Sequence, residues 1–93
     1  MNRSVVYKAI DSERDYQDSF IEKDPTRHDA SLPDHSVGDY IVMLTTYVRE
    51  AQENWTRNGG VEKAQDSIRK IAGIAVHCME DHGVQPRSLR SIS

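Results

Sequence analysis

The stretch VEKAQDSIRKIAGIAVHCMEDHG, Val61 to Gly83, carries more apolar surface than one packing partner can cover. At 100° per residue, Val61, Ala64, Ile68, Ile71, Ala72, Ala75, Cys78 and Met79 fall on one stripe, which reads as a core face. Ile74 and Val76 widen it to roughly 200° of arc, about twice what a surface helix needs. A helix of this kind requires two neighbours. Immediately upstream, Ser36–Arg57 is also amphipathic, with Val37, Tyr40, Ile41, Leu44, Tyr47, Val48, Ala51 and Trp55 at helical spacing. Asn58-Gly59-Gly60 between the two stretches supplies residues that tolerate left-handed backbone, so the pair reads as a helical hairpin.

Working outward, Val6, Ala9, Ile10, Glu13, Tyr16, Gln17 and Phe20 share one face of a shorter N-terminal helix. The expected organisation is one all-α domain over 1–93: helix 4–20, loop 21–35, helix 36–57, helix 61–82 and a basic tail 83–93. Asp24-Pro25 and Leu32-Pro33 break the loop, Ser36 with Asp39 forms a capping box, and Gly83 and Pro86 stop the last helix. His77 lies opposite the apolar stripe and reads as exposed, whereas His82 reads as facing inward.

Composition bounds the partners. Only 37% of the 93 residues are apolar, against the usual ~45–50% of globular chains with glycine counted. A thin core beside an oversized apolar arc points to a homo-oligomer, an assembled helical bundle. The net charge of −3 predicts no general attraction to nucleic acid or to an anionic membrane. No apolar run approaches a membrane span or a signal peptide, and Cys78 has no second cysteine to pair with. The expectation is a cytoplasmic protein.

The chemistry lies in polar residues at unusual places. Glu13 sits mid-face on the first helix, flanked by Ile10, Tyr16 and Gln17, where a carboxylate must be paired or bind a ligand. Arg69 and Lys70 precede Gly73, whose missing side chain allows close approach, and a basic pair there suits a phosphate. Glu13, Gln17, Arg69, Lys70 and Asp39 are therefore the candidate ligand-binding residues, and no catalytic residue is assigned. A metal set of Glu13, Asp39, Glu50 and Glu53 would suit magnesium, which prefers oxygen ligands. There is no Walker-type loop, GxGxxG, CxxC or nucleophile elbow.

The run Glu13-Arg14, Gln17, Asp29, Asp34-His35, Gly38-Asp39 and Tyr47 resembles the N-terminal half of small phage-encoded MazG-like proteins. Ile68 to Val76 resembles their final helix, an apolar segment with a basic residue in its first turn. The resemblance implies an all-helical oligomer and, for family members that are enzymes, magnesium-dependent pyrophosphohydrolysis of nucleoside triphosphates. Their catalytic pattern is ExxE on one helix and ExxD on the next. Glu50 and Glu53 match the first part, whereas Glu62 and Asp66 are four apart rather than three. The leading expectation is a phage-type protein that sequesters a nucleotide or a related phosphorylated small molecule at a subunit interface. Two alternatives stand beside it: an inhibitor docking on a host protein through its apolar face, and the hydrolase itself.

Overall fold

The computed structural model describes residues 1–23, 35–57 and 59–88. Residues 24–34 of the expected loop 21–35 and the end of the tail, 89–93, lie outside the described residues, as does Asn58 of the turn. Three helices follow in chain order: α1 (Arg3–Lys23), α2 (Val37–Thr56) and α3 (Gly60–His82), and no strand occurs among the described residues. The all-α expectation therefore holds. No helix among these residues is long and apolar enough to cross a membrane.

Each helix boundary has a local cause. Asn2 Oδ1 accepts the Val5 N–H at 3.1 Å and the Ser4 hydroxyl at 2.9 Å, tying down the start of α1. The helix continues to Lys23 rather than stopping at Phe20. Its last residue comes just before Asp24-Pro25, where the proline ring disfavours helix at the preceding residue. α2 begins with the expected capping box: Ser36 Oγ accepts the Asp39 N–H at 3.1 Å, and Asp39 accepts the Ser36 N–H at 3.0 Å. At the hairpin, a Cβ on Gly59 would stand 2.4 Å from the Asn54 carbonyl oxygen, and Gly60 has φ +84°. Both positions thus need glycine, the first for space and the second for backbone angle. The Gly83 N–H closes α3 onto the Met79 carbonyl at 2.8 Å.

α3 is the central element. α2 packs antiparallel along one side of it and α1 crosses it at Gly73, while α1 and α2 do not pack on each other. Two neighbours therefore flank α3, as its width requires, but they take a different side from the one expected. The buried residues of α3 are Ser67, Gly73, Ile74 and His77. Val61 and Ile68, assigned to the core stripe from periodicity, are 58% and 61% exposed, and Met79 is exposed as well. The physical reason is that small and polar positions offer what the neighbours seek. Gly73 lets α1 approach closely, and Ser67 Oγ accepts from Asn54 Nδ2 of α2 at 3.2 Å.

Two further expectations are corrected by this rotation. His77 is buried, not exposed, because it faces Tyr40 of α2, with the ring centroids 5.6 Å apart. His82 is exposed, although its Nε2 lies 2.7 Å from the His35 carbonyl oxygen. Tyr40 is fully buried and donates its hydroxyl to Asp81 Oδ2. Burial and the neighbouring Asp81 carboxylate both push the Tyr40 phenol above its ordinary value, so it stays protonated as the donor. Among the described hydrophobic residues, only Tyr40 and Ile74 are buried. Val37, Ile41, Val48 and Trp55 of α2 are exposed, within about 40° of arc on one side of that helix. Because α2 runs antiparallel to α3, this stripe and the α3 stripe lie on the same side of the hairpin. Among the described residues, the helices form an open layer with one apolar face.

Candidate functional site

The crossing of α1 over α3 gathers a chain of charged and polar groups. Arg69 Nε donates to Glu13 Oε1 at 2.9 Å, and Arg69 Nη1 donates to Asp66 Oδ1 at 2.8 Å. Gln17 Nε2 donates to Glu13 Oε2 at 3.4 Å, and its Oε1 accepts from Arg14 Nη1 at 3.1 Å. Arg14 then holds Glu80 through Nε at 2.8 Å and Nη2 at 3.2 Å, and Asp18 through Nη2 at 2.9 Å. Glu13, Arg14 and Gln17 are all buried, and each has a partner for its polar head. The amide of Gln17, one turn further along α1, bridges the Glu13 carboxylate and the Arg14 guanidinium in this seam, since it donates to one and accepts from the other.

The charges are held firmly. Burial opposes the Arg14 charge, but hydrogen bonds to Glu80 and Asp18 outweigh it and raise its pKa further. The same contact with Arg14 lowers the Glu80 carboxyl below its ordinary range. Hydrogen bonds to Glu13 and then Asp66 raise Arg69. Gly73 makes the seam possible: a Cβ there would meet Glu13 Cγ and Gln17 Nε2, each at 2.8 Å.

Gly73→Ala tests this directly. In an open helix the change would stabilise by about 1 kcal/mol through helix propensity. Here the overlap is expected to win, for a net loss of about 1–2 kcal/mol in urea unfolding. A gain in stability would mean that Glu13 and Gln17 shift aside freely.

Two depressions meet at Arg69. An apolar groove of about 690 Å³ is lined by Val6 and Ile10 of α1, Trp55 of α2, and Val61, Ile68 and Ala72 of α3, with Arg69 on its edge. A polar cleft of about 320 Å³ next to it is lined by Ser12, Glu13, Tyr16, Arg69 and Lys70. Arg69 is thus common to both walls. Of the five candidate ligand-binding residues, Glu13, Arg69 and Lys70 line this cleft, while Gln17 is buried in the seam beside Glu13.

Asp39 does not join them. It sits in the first turn of α2, engaged with Ser36, and that cap is the leading cause of its lowered pKa. Glu50 and Glu53 are exposed on α2, which does not pack on the helix that carries Glu13. Glu13 itself is engaged by Arg69 and Gln17. The expected magnesium set of Glu13, Asp39, Glu50 and Glu53 is therefore not gathered. Among the described residues no three His, Cys, Asp or Glu side chains converge as a metal site requires.

Periodicity missed Trp55 as a groove wall, since its place in the helical pattern assigned it to the core. A signal for the true α3 interface was present as a second pattern: Ser67, Ile74, His77 and Asp81 recur at seven, three and four residues. Asp29 and Asp34 of the MazG-like pattern lie outside the described residues. Comparison with protein-family models, curated proteins and solved structures finds no match for this chain.

Proposed function

We propose that this chain is the protomer of a helical oligomer that sequesters a nucleotide or a nucleotide-derived phosphorylated molecule where protomers meet. The observation that carries the reading is Arg69, which stands between an apolar groove walled by Trp55 and a polar cleft that also holds Lys70. A base would enter the groove against the Trp55 indole, and phosphate oxygens would face the guanidinium and the Lys70 ammonium. Arg69 uses Nε and Nη1 inside the protein, which leaves Nη2 for such an anion. Glu13 fixes the guanidinium plane in advance, so little side-chain freedom is lost on binding.

Assembly follows from the apolar face. A chain whose buried hydrophobic residues, among those described, are Tyr40 and Ile74 has little core of its own. A second copy meeting it hairpin to hairpin would cover Ile41, Val48, Trp55, Val61 and Ile68, all exposed in the protomer. It would also deepen the groove into an interfacial site. The resemblance to small phage-encoded MazG-like proteins supports the helical, nucleotide-directed part of this reading. Because the four candidate carboxylates are not gathered, sequestration without turnover is preferred to hydrolysis.

The test is calorimetry of the full chain against mono-, di- and cyclic nucleotides, together with sedimentation velocity at the same concentration. Binding to at least one phosphorylated ligand by an assembled species is expected. Silence across the panel would remove the ligand, and a well-folded 10.6 kDa monomer at high concentration would remove the assembly. In that second case the apolar face would instead be a docking surface for another protein.

A further inference from the structure

His77 lies on α3 against α2, within electrostatic reach of α1. Its side chain is 7% exposed, packs beside Tyr40 of α2, and feels the Arg14 guanidinium of α1. Its Nδ1 is buried with no hydrogen-bond partner among the described residues. Its Nε2 lies 3.6 Å from Asp81 Oδ2, the same oxygen that accepts the Tyr40 hydroxyl. Two more imidazoles surround Tyr40: His35 and His82, each with its ring centroid 5.9 Å away. Nothing in the ligand reading uses this cluster.

We propose that His77 is a proton-operated latch that seats the N-terminal end of α2 on α3 while uncharged and releases it when protonated. The neutral ring can leave Nδ1 as a bare acceptor. A proton on Nδ1 has no acceptor to meet and adds a second cation near Arg14. The charged ring also draws Asp81 Oδ2 toward Nε2 and away from the Tyr40 hydroxyl. Tyr40 is fully buried, so loss of its acceptor leaves an unsatisfied donor in the seam that holds α2.

The groups facing the ring set the balance. Arg14 of α1 opposes a charge on it, and Asp81 and Glu80 of α3, with Asp18 of α1, favour one. Burial is the largest influence and, with Arg14, it lowers the His77 pKa below its ordinary value. The unfolded chain therefore takes up the proton first as pH falls. The native state is fully favoured above about pH 6.5 and loses stability below it, down to the folded pKa. The lowered carboxyls of Asp39 and Glu80 act in the same direction, but only as pH falls past the ordinary carboxylate range near 4. The interval from about pH 7 to 5 thus isolates histidine.

The experiment pairs ring-proton NMR of the four histidines in the intact chain with thermal melts at fixed protein concentration. The His77 ring is expected to titrate below the ordinary value of about 6.5, and the Tyr40 ring resonances should move with it. The melting midpoint should fall by about 5–10 °C between about pH 7.5 and 5.5. His77→Phe keeps an aromatic ring beside Tyr40 and removes the proton site, so most of that fall should disappear. A His77 ring titrating at or above the ordinary value overturns the latch. So does a His77→Phe protein that keeps the whole pH dependence. If this variant does not fold, the wild-type titration decides alone.

Discussion

With protomers meeting hairpin to hairpin as proposed, Ile68→Glu is expected to give a monomer at concentrations where the wild-type chain would assemble. Within one protomer the change is nearly silent. Ile68 is 61% exposed, so little buried contact is lost, and glutamate is at least as good a helix former as isoleucine. Between protomers the situation reverses, because a symmetric contact would bury the new carboxylate from both copies. Each costs about 2–3 kcal/mol without a partner, so the dissociation constant should rise on the order of a thousandfold or more. Val42→Glu is the matched control. Val42 is 65% exposed but lies 100° round α2 from Ile41, away from the shared face. It should assemble as the wild type does. Equal dissociation by both variants would point to charge alone, and assembly unchanged by Ile68→Glu would place the contact elsewhere. Ile41→Glu, on the shared face but not among the groove residues, shows by calorimetry whether the ligand needs two protomers: affinity lost there but kept with Val42→Glu places the site between them.

The hairpin was legible because helical periodicity records which residues avoid water, and the capping and glycine signals bound it on each side. The excess width of the α3 stripe asked for two neighbours, and α3 has two, but they leave Val61, Ile68 and Met79 of that stripe exposed. What periodicity cannot tell is who covers a stripe. Val61, Ile68 and Met79 look like core, yet α1 and α2 take the side carrying Ser67, Gly73 and His77. Small residues attract a helix by letting its backbone come near, a property that hydropathy does not register. Glu13 was legible as an anomaly, a carboxylate on an apolar face that must be paired or bind a ligand, and it is paired with Arg69. Lys70 was legible only through its neighbour. Asp39 misled because one acidic residue in a first turn serves equally well as a cap and as a ligand, and only its contact with Ser36 separates the two. The inward face of His77 had only the faint spacing of Ser67, Ile74, His77 and Asp81 to mark it, a pattern that hydropathy does not weight. It follows from Tyr40 and Asp81, which are far apart in sequence and meet only once the hairpin closes.

Arg69→Ala is the substitution expected to cost most within the protomer. Glu13 is 5% exposed and its strong partner is the Arg69 guanidinium at 2.9 Å; the Gln17 amide at 3.4 Å is a weak substitute. Removing one member of a buried pair costs about 3–5 kcal/mol when both are dry. Water reaches Arg69, whose side chain is 40% exposed, so about 2–3 kcal/mol is the expected loss. Removing the other member is a different matter. Glu13→Met leaves a half-exposed guanidinium still paired with Asp66 and takes from the Gln17 amide only a weak acceptor at 3.4 Å, so its cost should be about 1 kcal/mol, below that of Arg69→Ala. The double variant no longer buries a lone carboxylate and should recover most of what Arg69→Ala loses. Urea unfolding of all four proteins gives the coupling energy. Equal costs for the two single variants, with simple addition in the double, would show that the pair does not hold α1 to α3. Ligand binding separates the second role of Arg69 from this first one. Glu13→Met should retain nucleotide affinity more fully than Arg69→Ala, and Lys70→Ala should weaken binding while leaving the unfolding midpoint in place. A guanidinium that only braces the helices would lose stability on substitution without changing affinity in the double variant, whereas one that also meets phosphate cannot be rescued by Glu13→Met.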